Sequence, residues 1–565
     1  MKIEEKKKLM RTSLGEEKPD IVLKNARIVD VFTEKLFTAD VAVRDGYIAG
    51  VGCYSGDREI DMTGKIIAPG FIDAHVHIES SMVAPSIFAQ KVLRCGTTTV
   101  IADPHEIVNV SGLEGLAYML KDSEACALNI YFVLPSCVPL NQYDNNGAVF
   151  DVEQMKRICG NPRIAGLGEV MNYEGVTQCS QDLLEKIELL QSKTIDGHAP
   201  GLTGKKLQAY RIAGIETDHE CADYEDALEK LHAGFIVQIR EGSAAKNLTP
   251  ILSGALKDGI SFDRFVFCTD DVHLADIEKH GHINHNIKMA IELGVNPIRA
   301  IKLATLNPAR VYGLKDVGAI APGFKADLVV LDSLEELSIS DVYKDGISTH
   351  EIQYSDLKTD VADTIAHSVH VPVLDKNALA LKVRGGFPVI EVIPGQIVTR
   401  GVNMQLPTED GMFVPDGDLL KIAVVQRHDN SGRIGLGAVK GFGLKNGAVA
   451  STVAHDAHNL IVVGDNDDDM RIAIEELKHC GGGYTIVRGG KVLNTLKLRI
   501  AGLFTDDRNT DMIEQLRGMC DCAHNMGVPQ NIDVFQNLSF LSLPVIPELR
   551  ITDIGLFDVA QNAFI

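Results

Sequence analysis

The sequence has no long apolar segment, no regular cysteine pattern and no excess of basic charge. A membrane-spanning helix needs about 20 consecutive apolar residues, and no stretch of the 565 residues approaches that length. The N-terminal segment MKIEEKKKLMRTSLGEEKPD mixes both charges and lacks the apolar core of a secretory signal peptide. The sequence therefore predicts neither a membrane-spanning nor a secreted protein.

The negative net charge of the chain disfavours anionic binding partners. With 77 acidic and 55 basic residues, the formal net charge is −22, which disfavours binding to nucleic-acid phosphates and to anionic membranes. The 11 cysteines follow no repeating frame, as is typical of a protein in the reducing cytoplasm rather than of a disulfide scaffold. The composition is otherwise ordinary for a folded protein, and the length allows about three or four domains.

Residues 65–314 alternate between short apolar runs and longer amphipathic segments. Eight runs are candidate strands: IIAPGFIDAHVH, TTTVIADPHE, NIYFVLP, IAGLGEV, TIDGHAP, GIETDHE, GFIVQIRE and FVFCTDD. Strands that alternate with helices form parallel βαβ units, and eight units in about 250 residues match a (β/α)₈ barrel. The sequence therefore predicts an α/β fold built around a TIM-type barrel.

Strand-like segments flank this barrel on both sides. Residues 1–64 are interpreted as an N-terminal arm and the first part of a small β-domain, and residues 315–368 as its second part. The barrel would then be inserted into this β-domain. Residues 369–565 contain more strands and the segment DNDDDMRIAIEEL, whose acidic start favours a helix N-terminus. We assign them to a C-terminal α+β domain.

Polar side chains stand where the predicted barrel strands end, on the face where barrel enzymes build their active sites. These residues are His75, His77, Glu169, His198, His219 and Asp270. Residues i and i+2 of a strand project to the same side, so the His-Val-His pair can bind one metal. Four histidines and two carboxylates at strand ends are difficult to explain as core residues, and they predict a metal site.

The types of these predicted ligands indicate which metals the site would bind and which reaction it would support. Imidazole and carboxylate ligands without thiolate suit zinc, manganese or iron(II), and six ligands suit two ions better than one. We expect His75, His77 and Asp270 to hold one ion, and the ligands of the other to be His198 and His219, with Glu169 bridging the two. Two cations lower the pKa of a shared water, and Asp270 can accept its proton. The pattern predicts metal-assisted hydrolysis of an electrophilic carbon.

The motifs also resemble a known family. The barrel motifs together resemble those of the amidohydrolase superfamily. The segments PGFIDAHVHIESSM, IADPHEIVNVSG, GLGEVMN, DGHAPGL, TDHEC and FCTDD, with IGLGAVKGFGLKNGAVASTVAHDAHNLIVVG, resemble the bacterial and archaeal adenine deaminases over nearly the whole chain. Many superfamily members bridge their metals with a carboxylated lysine, whereas the fourth strand here ends in Glu169. This departure disfavours hydantoinase-, dihydroorotase- or urease-type activity and suits an adenine deaminase.

The resemblance implies hydrolytic deamination of free adenine to hypoxanthine and ammonia in purine salvage. It also implies two divalent ions per chain, Mn²⁺ or Fe²⁺ in preference to Zn²⁺, and a homo-oligomer. The alternatives are a superfamily hydrolase that acts on a cyclic amide or N-acyl substrate, and a catalytically inactive scaffold protein. The complete set of proposed ligands argues against the scaffold.

The remaining candidate residues follow the first two barrel strands. Protonation of N1 of adenine needs an acid, for which Glu106 is our candidate, although it could instead stabilise a helix N-terminus. His105 could orient the base or the nucleophile, or hydrogen-bond a ligand. Glu79 and Ser80 could contact the purine or cap the next helix. The segment His455–Asn459 is interpreted as turn and packing residues, with ion binding or closure over the barrel mouth as the alternatives.

Overall fold

The computed structural model describes residues 1–124, 126–243, 245–354, 358–508 and 511–565. Within these ranges, no helix has the length and apolar character needed to cross a bilayer. The chain begins with the helix Ile3–Ser13, which corresponds to the predicted N-terminal arm. The rest of the described chain forms a small β-sheet, a barrel and a C-terminal domain of strands and helices.

The small sheet combines strands from before and after the barrel. Its strands are Ile21–Asp30, Lys35–Arg44, Tyr47–Gly52, Glu59–Asp61, Ile66–Pro69, Leu328–Ser333, Ser338–Lys344 and Ile347–Ser348. The strand Ile66–Pro69 pairs in parallel with Ile21–Asp30 and antiparallel with Leu328–Ser333. The predicted insertion of the barrel into a β-domain is therefore confirmed. The boundaries after residues 64, 314 and 368 stay a prediction.

The barrel has the eight strands that the sequence predicts. They are Phe71–His77, Thr97–Ala102, Asn129–Leu134, Ile164–Val170, Thr194–Gly197, Thr217–Asp218, Ile236–Arg240 and Phe265–Cys268. Neighbouring strands pair in parallel in two ladders. The Glu216 N–H joins these ladders by donating to the Ile195 carbonyl at 2.9 Å, and the short strand Asp270–Asp271 pairs with Val76 and His77 of the first strand.

Helices follow most of these strands and cover the outside of the barrel. They are Pro85–Leu93, His105–Glu124, Val152–Ile158, Tyr173–Thr177, Gln181–Leu190, Gly204–Ile212, Tyr224–His232, Leu248–Asp258, Leu274–His280, Ile283–Glu292, Pro297–Leu303 and Leu306–Val311, with a 3₁₀ turn at Ile78–Ser81. The strands are apolar and almost completely buried along their length, as expected where a parallel sheet is covered. Polar side chains are thereby concentrated at the strand ends.

The C-terminal domain is built on an eight-stranded sheet. Its strands are Gly386–Val392, Thr399–Gln405, Leu419–Val425, Ile434–Lys440, Ala448–Ser451, Leu460–Gly464, Gly483–Arg488 and Lys491–Lys497. Smaller sheets contain Thr408–Glu409 with Met412–Phe413, and Leu549–Ile551 with Leu556–Asp558 and Ala563–Phe564. The helices are Asp363–Ala366, Asp467–Cys480, Met512–Asn525 and Val534–Phe540. This arrangement confirms the predicted α+β domain and its acidic helix start.

The C-terminal domain packs against the loop that follows the first barrel strand. Thr505 exchanges backbone hydrogen bonds with this loop: its carbonyl accepts the Ala84 N–H at 2.8 Å, and its N–H donates to the Met82 carbonyl at 3.0 Å. Buried apolar side chains run without interruption from the barrel helices into this domain, and Tyr118 lies 6.1 Å from Phe504, centroid to centroid. The domain therefore lies over the face of the barrel that carries the polar strand ends.

Candidate active site

All six predicted metal ligands lie at the carboxyl ends of barrel strands. His75 and His77 lie at the end of the first strand, and Glu169 is the second-last residue of the fourth. His198 and His219 come directly after the fifth and the sixth strands, and Asp270 follows the end of the eighth by two residues. Asp270 has a φ of +61°, a left-handed conformation that costs a non-glycine residue free energy and is found repeatedly at functional sites. The ends of five strands thus converge on one buried cluster.

One oxygen of Glu169 faces the two histidines of the first strand. Oε1 lies 3.2 Å from Nε2 of His75 and 3.0 Å from Nε2 of His77. Asp270 Oδ1 lies 3.6 Å and 3.1 Å from the same two nitrogen atoms. These four side chains are buried, and their donor atoms all lie within 4.8 Å of one another. They form the first of two groups that could hold a cation.

The other oxygen of Glu169 faces the second pair of histidines. Oε2 lies 2.6 Å from Nδ1 of His198 and 3.4 Å from Nε2 of His219. These three residues form a second group of closely spaced donor atoms. Glu169 therefore belongs to both groups and presents a different oxygen to each, which is the arrangement expected of a bridging carboxylate.

The donor atoms of this site fit divalent cations. His77 Nδ1 lies 3.0 Å from the Asp103 carbonyl, which only a protonated nitrogen can satisfy, so when the ring is neutral its lone pair is on Nε2, which faces the cluster. That lone pair faces Glu169 Oε1, which has no hydrogen-bond partner among the described residues. His219 Nε2 is likewise buried and without such a partner within the described ranges. A cation between these lone pairs would remove the repulsion.

The electrostatics of the cluster also favour positive charge. Burial lowers the pKa of His75, but Glu169 and Asp270 outweigh this effect and raise the pKa to about 10. Burial raises the pKa of Glu169, but the surrounding histidines hold it well below its usual value. The carboxylates that attract protons to these imidazoles would attract metal cations in their place.

Arg240 and Glu220 belong to this site, although the sequence analysis did not identify them. Arg240, the last residue of the seventh strand, donates from Nη1 to Asp270 Oδ2 at 2.6 Å and from Nη2 to Glu220 Oε2 at 2.9 Å. Glu220 Oε1 also lies 3.6 Å from His198 Nδ1. Burial raises the pKa of Asp270, but Arg240 and the histidines hold it well below its usual value. The signal in the sequence for Arg240 and Glu220 was their position at the ends of predicted strands.

The candidate residues after the first two strands are buried beside the cluster. His105 lies between Glu169 and Glu106. Its Nδ1 is 3.7 Å from Glu169 Oε1, and its Nε2 is 3.5 Å from Glu106 Oε1. Glu79 Oε1 accepts the Ile107 N–H at 3.4 Å, so it contacts the helix after the second strand rather than the helix that follows it in sequence. Burial raises the pKa of Glu79 to about 7. Ser80 donates to Asp271 Oδ1 at 2.5 Å.

The segment His455–Asn459 reaches the barrel, as expected from the interpretation that it closes over the barrel mouth. His455 Nδ1 lies 2.6 Å from Glu106 Oε1, and His458 Nε2 forms a short hydrogen bond with Glu106 Oε2. Burial raises the pKa of Glu106, but His455 and His458 outweigh this effect and hold it well below its usual value. Glu106 is therefore a carboxylate whose two oxygens both contact the C-terminal domain.

Comparison with known proteins identifies the family. The sequence model described as the amidohydrolase family matches residues 66–371, and the model described as the adenine deaminase C-terminal domain matches residues 396–563. A protein named adenine deaminase from Desulfitobacterium hafniense is 47% identical over 560 residues, covering 99% of this chain and 98% of its own. The chain belongs to the amidohydrolase family and, within it, to the adenine deaminases. It is therefore a hydrolase that acts on carbon–nitrogen bonds.

A second relative agrees with this assignment. The adenine deaminase of Clostridium acetobutylicum is 43% identical over 577 residues, which cover 100% of both chains. In the present chain the C-terminal family match includes His455 and His458, and the amidohydrolase match includes all six predicted ligands. The chain is also similar to a solved structure titled as an adenine deaminase, which matches 59% of this chain and 99% of its own with a TM-score of 0.46 and 17% identity.

Proposed function

We propose that this protein hydrolyses free adenine to hypoxanthine and ammonia, using two divalent cations held by the six strand-end residues. The observation that carries the proposal is the geometry of Glu169, whose two oxygens face two separate groups of imidazole donors. The names of relatives that are 42–47% identical over the full chain support adenine as the substrate. Because Glu169 faces both groups of imidazole donors without modification, no carboxylated lysine is needed to bridge them.

The chemistry of the proposed cations is that of a Lewis acid. When bound, they would make water nucleophilic near neutral pH. Asp270 is placed to accept a proton, because Arg240 keeps it ionised and its Oδ1 lies among the nitrogens of the first strand. Its proton would pass to the departing ammonia. Asp270 is therefore the proposed general base.

Glu106 is the proposed proton carrier for N1 of the purine. Because its histidine neighbours favour the carboxylate form, Glu106 would take up one proton of the attacking water and pass it to N1, while the other proton reaches the departing ammonia through Asp270. His105 lies between Glu106 and Glu169 and is placed to orient the nucleophile or the base. Glu79 and Ser80 border the same cavity as Glu106 and are assigned to purine binding.

The proposal extends to the metal, the assembly and the location. Manganese or iron(II) is preferred to zinc, and the active form is proposed to be a homo-oligomer in the cytoplasm that serves purine salvage. The 11 cysteines follow no repeating pattern, which supports a location in the reducing cytoplasm. We also propose that the enzyme binds neither nucleic acid nor membranes. Its net charge of −22 supports this, because both partners are anionic.

One experiment tests substrate and metal together. The protein is purified from manganese-supplemented, iron-restricted cells, and its bound metal is measured. Ammonia release is followed with adenine, adenosine and cytosine, and ring opening is followed with a dihydropyrimidine. We expect release from adenine alone and two metal ions per chain. Two metals with turnover of the dihydropyrimidine but not of adenine would replace the proposal by the cyclic-amide alternative. No metal and no turnover would favour the scaffold alternative.

A further inference from the structure

The closest connection between the two large domains is made by Glu106. This residue lies in the first turn of the barrel helix His105–Glu124. Its side chain is buried, and its two oxygens contact two histidines that are about 350 residues away in the sequence: His455 on Oε1 and His458 on Oε2. A carboxylate that only stabilised its own helix would not need either contact.

Backbone contacts fix the orientation of the His458 ring. Its Nδ1 accepts the Ala454 N–H at 3.1 Å, so this nitrogen carries no proton. Burial lowers the pKa of His458 to about 4, so the ring is neutral at pH 7 and its single proton is on Nε2. That proton points at Glu106 Oε2. His458 therefore faces Glu106 as a hydrogen-bond donor, which disfavours a metal ion bound through Nε2 at this place.

The segment that carries both histidines is itself held firmly. Arg427 is fully buried and donates from Nε to the His458 carbonyl, while its Nη2 donates to the Ala501 carbonyl at 2.9 Å. The His458 N–H donates to the Ala454 carbonyl at 2.7 Å. The His455 ring stacks on Phe540 with 4.9 Å between ring centroids. Such buried, hydrogen-bonded side chains can position a functional group with little loss of entropy during the reaction.

A cavity lies between the two domains at this point. It has Glu79, Ser80 and Glu106 on the barrel side. The side chains of Tyr484, Phe535 and Phe540 line the opposite side. Aromatic walls with a few polar groups are typical of a small-molecule site, and this cavity places Glu106 where a bound ligand would meet it.

We propose that the C-terminal domain completes the active site by supplying His455 and His458 as positioning residues for Glu106. This inference rests on the proposed role of Glu106 in carrying a proton to the purine. His458 holds one carboxylate oxygen through a tautomer that is fixed by the backbone. His455 holds the other oxygen and aligns it with the cavity. The domain is then part of the catalytic unit and not only a structural addition.

A double-mutant cycle tests this inference in the full-length enzyme. His458→Ala should lower kcat by about 10- to 100-fold, the cost of a misplaced catalytic group, with a much smaller change in KM and unchanged metal content. His458→Gln retains an N–H donor and should recover part of the loss. In a Glu106→Gln background, His458→Ala should cause no further loss. His479→Ala is the control, because His479 is exposed on a helix of the same domain.

His455→Phe provides a second, independent variant, since it keeps an aromatic ring against Phe540 and removes the donor. It should also lower kcat and should also have no further effect beside Glu106→Gln. The inference would be overturned if either histidine variant lowered kcat by the same factor in the wild-type and Glu106→Gln backgrounds. An equal loss of kcat in the His479→Ala control would also overturn it. So would unchanged kcat in His458→Ala.

A measurement without substrate separates this inference from the proposed function. A strongly hydrogen-bonded imidazole N–H gives a far-downfield proton NMR signal, which we expect in the wild-type protein and in His479→Ala. The signal should disappear in His458→Ala and in Glu106→Gln. If these spectra are observed but adenine is not turned over, the proposed function fails and the positioning contact stands. Because His455 also contacts Glu106 and can give a downfield signal of its own, the test is the loss of one signal in His458→Ala. Downfield spectra that are identical in the wild-type protein and in His458→Ala would refute the contact.

Discussion

Replacing Lys230 by methionine should destabilise the barrel and loosen the metal site. The Lys230 ammonium lies 2.7 Å from Asp218 Oδ1, and both side chains are completely buried. Methionine has a similar length and fills the same space, so the packing changes little. The carboxylate of Asp218 would then remain as a buried negative charge with no cationic partner at that position.

The magnitude follows from this uncompensated charge. Removing one partner of a buried ion pair costs about 3–5 kcal/mol. For a unit of roughly 150–250 residues, each 1 kcal/mol lowers Tm by about 2–4 °C, so the barrel transition should fall by about 6–20 °C. Turnover should fall as well. Asp218 also accepts the Ala199 N–H at 2.9 Å and the Glu220 N–H at 2.8 Å, and so holds the segments that carry His198 and His219.

Thermal unfolding followed by circular dichroism, with metal content measured in parallel, checks this prediction. The matched control is Lys186→Met, because Lys186 is also buried but its ion-pair partner Asp182 is 58% exposed. Water can solvate Asp182 once its partner is lost, so the control should shift Tm by far less. The double variant Lys230→Met with Asp218→Asn should recover most of the stability. A Lys230→Met shift no larger than that of Lys186→Met would refute the reasoning.

Three further predictions concern the reaction and the pH dependence. Asp270→Asn should preserve the fold and part of the metal but lower kcat by about 10²- to 10⁴-fold, because an amide cannot accept the proton; full activity with adenine would remove Asp270 from the mechanism. Glu106→Gln should lower kcat much more than it raises KM in steady-state assays, whereas a change in KM alone would make Glu106 a binding residue. Burial raises the pKa of Asp218, but Lys230 and local hydrogen bonds lower it below the ordinary value of 3.8. Its stabilisation is therefore present above that value and is lost as the pH falls through the folded-state pKa. Acid unfolding of Lys230→Met with Asp218→Asn should depend less on pH in this range, and an unchanged pH profile would contradict this.

The barrel and the cluster of polar residues at its strand ends were predictable because strand ends are visible in the sequence. Each apolar run stops at a polar residue, and parallel strands bring these ends to one face, so the separated residues His75 and Glu169 could be placed together from pattern alone. The alternation of strands and helices predicted the fold class for the same reason. Local periodicity contains this information without any knowledge of tertiary contacts.

Other parts of the site depend on contacts that the pattern does not contain. Arg240 also ends a strand, but its side chain is long, and only the structure shows that it pairs with Asp270 and Glu220. The contact of Glu79 with the Ile107 N–H likewise joins the 3₁₀ turn after the first strand to the helix after the second. His455 could not be assigned to Glu106, because no sequence pattern reports how a separate domain docks on the barrel.

The polar groups of the two domains form one continuous chain. It runs from Glu169 to His105 at 3.7 Å, from His105 to Glu106 at 3.5 Å and from Glu106 to His455 at 2.6 Å. Glu169, His105 and Glu106 are buried, where electrostatic interactions are stronger than in water. Docking of the C-terminal domain therefore acts directly on the side chains beside the proposed metal ligands. A barrel without that domain would retain these proposed ligands but would expose Glu106 to water, so they would not by themselves reproduce the site of the whole chain.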